Sequence, residues 1–426
     1  MSQDPPAQQV DAAPRVQEPA RRWRLVGPGI VVAATGVGAG DLVATLIAGS
    51  RFGTTLLWAV VLGVLVKIAM AEAVGRWHLA TGSTMFAGWR SLGAWTSVYF
   101  VLYVVIWGFV YGATAMTSSG LPLAAMFPAL PIWGWGMISG VVGLAFVWFG
   151  NYRLFERAMT ALIGVMFVIV VGLAVIVTPD LGEVVTGLVP RLPEGSAVYT
   201  LGLVGGVGGT ITMAAYGYWV NAKGWRDASW MRVMRLDNRV AYITTGVFVV
   251  AMLIVGAELL HATGIALTEG DRGLLDLDEV LRDRYGPVVA TLFLVGFFAT
   301  SFSSLLGVWQ GVSLMVTDFV RTRREARGQL TEGAAERSWP YRAYLLWLTF
   351  PPMVLLFLDR PFALVVAYGA FGAFFMPFLA GTLLYLLNGR RTPEEWRSGW
   401  LSNLLLAGAT VLFVVLCVDE LRSLVG

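Results

Sequence analysis

The chain is 426 residues long, 57% hydrophobic and only 13% charged, with a formal net charge of +3. An average soluble domain is about 25% charged, so a water-soluble globule is excluded and an integral membrane protein is expected. The single cysteine, Cys417, rules out an intramolecular disulfide. No phosphate loop, HExxH motif or nucleophile–base pair marks an enzyme, and no cofactor is implied.

Residues 1–22 are rich in Pro, Ala and Gln, lack the apolar stretch of a signal peptide, and read as a disordered cytoplasmic tail. Eleven apolar stretches follow, near 27–50, 54–75, 94–118, 132–150, 158–178, 199–221, 240–261, 287–317, 342–358, 361–388 and 401–419. A helix crosses a bilayer in about 20 residues, and no sustained period-2 alternation suggests a barrel. The expected fold is therefore all-α, with eleven transmembrane helices. Residues 23–390 form a core in which about 27–178 and 199–388 are two inverted five-helix repeats, and 391–426 add one further helix.

The first stretch, GPGIVVAATGVGAGDLVATLIAGS, places Gly36, Gly38 and Gly40 before Asp41. Glycine weakens a helix by roughly 1 kcal/mol relative to alanine, so a break is expected from Gly36 to Asp41. In the second stretch, Lys67 and Glu72 point about 140° apart on a helix and are poor mutual partners, whereas Glu72 and Arg76 stand one turn apart and can pair. Lys67 either snorkels to the surface or neutralises Asp41. The third stretch, Trp95 to Ser119, holds no acid. The sixth, YTLGLVGGVGGTITMAAYGYWVN, repeats the glycine pattern, with a second break expected between Gly205 and Gly217. Interrupted helices at matching places in two halves point to a transporter's substrate site. Glu258 and His261 read as a polar helix end, and Thr263–Gly286 as an acidic, solvated outer loop. Thr300, Ser301, Ser303, Ser304 and Gln310 form a polar stripe in the eighth stretch, facing either a cavity or neighbouring helices. Pro351 and Pro352 blur the ninth.

Most of the 30 Lys and Arg fall on one side when the N-terminus is placed inside, in groups such as Arg76 and Arg90, Arg153 and Arg157, Lys223–Arg239, Arg321–Arg342 and Arg390–Arg397. The positive-inside rule then gives an N-in, C-out protein of a plasma membrane, expected to be a prokaryotic inner membrane. Because these basic clusters follow topology, no nucleic-acid partner is implied, and the partners are the lipid bilayer and a small substrate.

A charge at bilayer depth suggests function, which singles out Asp41. With the opened carbonyls around Gly38 it offers hard oxygen ligands to a small cation, or else it caps the second half-helix. In the second break Met213 offers a soft thioether, which suits late transition metals, or simply packs. Thr210 offers a carbonyl or hydroxyl, or back-bonds within its helix. Tyr216 joins Lys67 and Glu72 as a candidate for the substrate pathway or for coupling.

The segment GPGIVVAATGVGAGDLVATLIAGSRFG resembles the first-helix signature of the Nramp divalent-metal transporters, which runs from GPG through Asp-Pro-Gly-Asn to AGSxFG. Gly75-Arg76 with Ala80-Thr81-Gly82, VAMLIVGAELLHATG, ATLFLVGFFATSFSSLLGVWQG and Met376-Pro377-Phe378 are similar to later family segments in the same order, so the likeness covers about residues 27–390. It implies a LeuT-type fold and divalent-cation transport, often proton-driven. The departures fall on the site. Gly38-Ala39-Gly40-Asp41 stands where the family has Asp-Pro-Gly-Asn, so the metal-binding aspartate aligns with Gly38 and the asparagine with Asp41. Met213-Ala214-Ala215 stands where it has Met-Pro-His. The resemblance thus carries Met213, the Thr210 carbonyl and, by position, Asp41. Three functions stay open: a carrier of a divalent metal of the Mn/Mg/Fe class, weakly or not proton-coupled; a LeuT-type carrier of a small organic solute, with Lys67 and Asp41 in place of a coupling ion; and a non-transporting relic.

Overall fold

Among the described residues, all eleven apolar stretches are mainly helical, the form in which a chain satisfies its own backbone in lipid. A computed structural model describes residues 27–177, 180–206, 208–261, 273–325, 335–358 and 361–425; the expected tail, 1–22, lies outside them. In chain order the helices are α1 (Pro28–Gly36), α2 (Ala39–Phe52), α3 (Leu57–Thr81), α4 (Met85–Arg90), α5 (Ala94–Met126), α6 (Ile132–Phe149), α7 (Tyr152–Ile176), α8 (Leu181–Thr186), α9 (Ala197–Gly206), α10 (Tyr216–Ala222), α11 (Met231–Gly256), α12 (Gly273–Tyr285), α13 (Pro287–Glu325), α14 (Trp339–Thr349), α15 (Met353–Leu356), α16 (Pro361–Asn388) and α17 (Trp400–Val425). No strand occurs among the described residues. Seven helical stretches are long and apolar enough to cross a membrane unaided. The first, sixth and ninth expected spans are each divided, as α1/α2, α9/α10 and α14/α15. The last division falls at Pro351-Pro352, where proline removes a donor and crowds the preceding turn.

Two sequence expectations are corrected. The first break is shorter than expected, because α2 already begins at Ala39, so only Val37 and Gly38 lie between the half-helices. The acidic segment is not simply a loop. Its described part is the helix α12, which buries Leu277 and Leu281 completely on one face and pairs Asp278 with Arg282 at 3.0 Å. Glu269 and Asp271 lie outside the described residues. The polar end expected at Glu258 and His261 is a π-helical turn, Ala257–His261, with His261 Nδ1 2.9 Å from the Ser50 carbonyl.

The half-helices sit in the middle of the bundle. α1 packs on α7, α11 and α13, and α2 on α9 and α11. Small residues set how closely these helices approach, as expected where lipid supplies no hydrophobic drive between them. A Cβ on Gly307 of α13 would collide with the hydroxyl and Cβ of Thr35 on α1, and one on Gly311 would lie 2.6 Å from the Trp219 ring on α10. α13 is thus a rail against which the first and sixth spans are laid.

This packing makes a paired prediction. Gly307→Ala should destabilise the protein by about 1–3 kcal/mol through overpacking. Gly164→Ala, in α7 where an added Cβ meets nothing within 4 Å, should leave stability unchanged or raise it by up to about 1 kcal/mol. Melting curves of the two variants in detergent check this; equal effects would contradict the account.

Candidate ion-binding site

Both ends of α1 need partners, because a helix leaves its first N–H and last C=O groups unbonded. At its start, the GPG sequence puts Pro28 where no N–H is required and aims the N–H groups of Gly27 and Gly29 at Asp237 of α11. Gly27 N donates to Asp237 Oδ1 at 2.9 Å and Gly29 N to Oδ2 at 2.6 Å. The carboxylate is wholly buried. It caps the helix from about 210 residues away in the chain, with a charge of the sign that the helix N-terminus favours. A Cβ on Gly29 would lie 2.8 Å from Asp237 Oδ2, so glycine is required there. Beside this cap, Lys223 and Glu156 form an ion pair.

At the other end of α1, Val37 turns extended and its N–H still reaches the Ala33 carbonyl. The next two carbonyls are met by α13. Ser303 donates to Ala34 O at 3.0 Å and Ser304 to Thr35 O at 2.8 Å. The polar stripe of the eighth stretch therefore serves the first break. Tyr111 of α5 continues the chain with its hydroxyl 2.8 Å from Ser304 Oγ. A Cβ on Gly38 would lie 3.0 Å from that same Oγ.

The second interruption turns on Gly208 and Gly209, at φ of 79° and 86°. Two successive left-handed residues are tolerable only for glycine. Tyr242 donates to the Gly208 carbonyl at 3.4 Å, and Lys67 donates to the Gly209 carbonyl. The Thr210 carbonyl accepts from Met213 N at 3.1 Å, while the Thr210 hydroxyl is buried with no hydrogen-bond partner. It does not make the back-bond that a helical threonine would make. Met213 ends a short 3-10 turn, Ile211–Met213, and is fully buried. That turn packs against α1, α3, α13 and α16.

The two interruptions meet backbone to backbone. A Cβ on Gly36 would overlap the Gly208 peptide, and one on Gly209 would lie 2.9 Å from Gly36 Cα. The structure thus sets Gly36, two residues before Gly38, against Gly209, which directly precedes Thr210, and packs the turn that ends at Met213 on α1. Asp41 falls in the first turn of α2 rather than at its cap; its side chain lies outside the described residues. Lys67 does not snorkel: its exposure is 0%, and its ammonium is turned onto the second break. Glu72 pairs with Arg76 at 3.3 Å and with Arg235 at 2.9 Å. Tyr216 is at the N-terminal end of α1, donating to Asp237 Oδ2 at 3.0 Å.

Four participants had no clear signal in the sequence. Asp237 and Tyr242 lie in a basic linker and an apolar stretch, and only folding carries them to α1 and to Gly208. Tyr218 donates to the buried Asp318 at 2.8 Å, beside a cavity of about 260 Å³ that Asn221, Arg321 and Glu336 also line. Tyr111 belongs to a column on α5, Tyr99–Tyr103–Trp107–Tyr111, whose rings stack at 6.1, 6.2 and 4.7 Å. Its four-residue spacing is readable, but not its purpose. Among the described residues no group of three or more His, Cys, Asp or Glu could hold a metal. Among the described residues, the donors beside the crossing are a thioether, a hydroxyl and peptide carbonyls.

Two divided helices crossing at their unwound segments, inside a bundle of apolar helices, are the architecture of a LeuT-type transporter. The chain belongs to the Nramp family: the family model described as natural resistance-associated macrophage protein-like matches residues 29–421. A divalent metal cation transporter MntH of Mycobacterium leprae (strain TN) is 26% identical, covering 93% of each chain. A manganese transporter of Eremococcus coleocola, solved with an aromatic bis-isothiourea compound, superposes with a TM-score of 0.75 at 16% identity, over 98% of this chain and 92% of its own. MhsT, solved with L-phenylalanine, superposes with a TM-score of 0.58 at 14% identity, over 95% of this chain and 98% of its own. These structural likenesses show the fold.

The cap on α1 is testable by a double-mutant cycle. Asp237→Ala should cost about 3 kcal/mol, since it strands two buried N–H groups, and Tyr216→Phe about 1 kcal/mol. The pair should fall short of additivity by about 1 kcal/mol. Chemical unfolding in detergent measures all three; strict additivity would contradict a shared network.

Proposed function

We propose that this protein is a secondary transporter of a divalent metal cation of the Mn/Mg/Fe class, working by alternating access with weak or no proton coupling. One observation carries the reading: two unwound segments touch at Gly36 and Gly208, with a buried thioether and an unpartnered buried hydroxyl beside them. Opened backbone is tolerated in a membrane where it lines a cavity or a binding site. The ion would be held by Asp41, by carbonyls near Gly38 and Thr210, and by Met213, which tunes the site toward softer metals. The printed names of the relatives, a divalent metal cation transporter and a manganese transporter, support the same cargo.

With one candidate carboxylate for a dication, the site favours a partly hydrated ion such as magnesium or manganese over tight iron capture. Weak coupling is supported by α5, where an aromatic column fills the span and its tyrosines are committed to backbone carbonyls of α16 or to Ser304. The inverted repeats are supported by interruptions five spans apart, and the N-in, C-out topology by the basic clusters. In that topology the Asp237 cap and the Asp318 cavity lie toward the cytoplasm. The helix α1 must release Asp237, or carry it along, when the inner side opens. Lys67 and Tyr216 flank the path, while Glu72 steadies α3 against α11.

The test is uptake into proteoliposomes with a metal-sensitive dye and a pH dye inside. Mn²⁺ should enter at a rate indifferent to an imposed proton gradient and without acidifying the lumen. Met213→Ala should weaken Mn²⁺ relative to Mg²⁺ by about tenfold, ~1.4 kcal/mol. Strong proton co-entry would refute the uncoupled transport. No metal entry, with binding of a small organic solute instead, would refute the cargo.

A further inference from the structure

We propose that the open groove between the α4–α5 corner and the end of α16 is a seat for one anionic phospholipid, with an acyl chain along its apolar floor and the headgroup phosphate held by Arg390 and Arg391. The groove has a volume of about 1220 Å³, more than the roughly 300–1,000 Å³ of a small-molecule pocket. Its open form suits a long chain lying along it rather than a compact solute. Leu92, Phe378 and Leu384 line it, and among the described residues no Asp or Glu does. Trp95 and Tyr385 also line it and stay open, at 57% and 69% exposure. Trp95 stands at the start of α5 and Tyr385 in the last turn of α16. Exposed Trp and Tyr at helix ends are what a membrane–water interface selects.

The charge is placed to match. Arg390 and Arg391 follow the end of α16 by two and three residues, line the same groove and are exposed. Neither is needed to finish the helix. Asn388 Nδ2 donates to Leu384 O at 2.7 Å and Thr392 Oγ1 to Leu386 O at 2.9 Å, so carbonyls of the last turn are already taken. Nor does either arginine have an acidic partner among the described residues: the next acid, Glu394, pairs with Arg397 at 3.2 Å. Guanidinium groups hold a phosphate through paired N–H donors, and each basic side chain beside an anionic leaflet adds about fivefold in affinity. In the N-in topology proposed above, the groove opens to the cytoplasmic leaflet, whose surface is negative. The lipid would bear on the joint between α16 and the α4–α5 corner. There Trp89 Nε1 donates to Thr382 Oγ1 at 2.9 Å, and the Phe378 ring packs at 5.0 Å from Trp89 and 5.9 Å from Trp95. Pro377 and Phe378 of the Met376-Pro377-Phe378 motif thus acquire a task as the wall of the groove.

Native mass spectrometry and thermal melting of the full-length protein in detergent test the assignment, with dioleoylphosphatidylglycerol, dioleoylphosphatidylcholine or glycerol phosphate added. Wild type should retain one phosphatidylglycerol per chain under conditions that strip phosphatidylcholine. Phosphatidylglycerol should raise its melting point by about 2 °C or more. Arg390→Gln with Arg391→Gln should lower that retention about tenfold or more and abolish the rise in melting point. Arg153→Gln with Arg157→Gln, which removes the same charge from exposed positions on α7, should change neither. Equal retention of the two lipids, equal loss in both arginine pairs, or equal stabilisation by glycerol phosphate would overturn the proposal. So would a dimer that the Arg390 and Arg391 substitutions break, since that would give the face to a second copy of the chain. The outcome does not depend on the transported cargo, so failure of Mn²⁺ uptake would leave it standing.

Discussion

The structure depends on one contact: two peptide segments, Gly36 and Gly208–Gly209, pressed together where two membrane helices have come apart. Each interruption frees backbone groups that lipid cannot satisfy, at several kcal/mol apiece. Much of the surrounding polar chemistry answers that requirement. Ser303 and Ser304 take the loose carbonyls of α1, Tyr242 and Lys67 take those of the second break, and Asp237 takes the amides at the start of α1. A side chain at Gly36 or Gly209 would separate the two segments and leave these partners out of reach. The crossing is thus a requirement on sequence as much as a site.

Its partners fall into two groups with different mechanical consequences. α13 is one helix of 39 residues, Pro287–Glu325, and its serines hold the break end of α1 from a rigid neighbour. The groups at the start of α1, Asp237, Tyr216 and the Lys223–Glu156 pair, join it to α10, α11 and α7. If α1 and α10 are to rock against the rest, the serine contacts serve as a pivot and the carboxylate cap as a latch. The aromatic column of α5 fills a span that holds no acid, and presents stacked rings rather than carboxylates along it.

The fold was largely legible in the sequence, because apolar length and glycine placement report directly on how a chain meets lipid. The eleven stretches, the division of the first and sixth, and the proline division of the ninth all follow from local composition. The width of the first break did not: Ala39–Asp41 is helical, against the glycine propensity. The helix α12 was hidden by its acids, although Leu277 and Leu281 stand one turn apart. The site was legible in part. Thr210 and Met213 are where the glycine pattern put them, and Lys67 is buried rather than at the surface, donating to a carbonyl 142 residues away that no local pattern marks. Asp237 and Tyr242 carry no local signature, since their roles exist only once α11 lies against the start of α1 and the second interruption.

The most direct test of the central claim is an anomalous-difference map at the manganese edge, from crystals grown with Mn²⁺. The account predicts a single strong peak at the crossing of the two interruptions, within bonding distance of Met213 Sδ and an oxygen of Thr210. A strong peak elsewhere in the bundle, with none at the crossing, would contradict it.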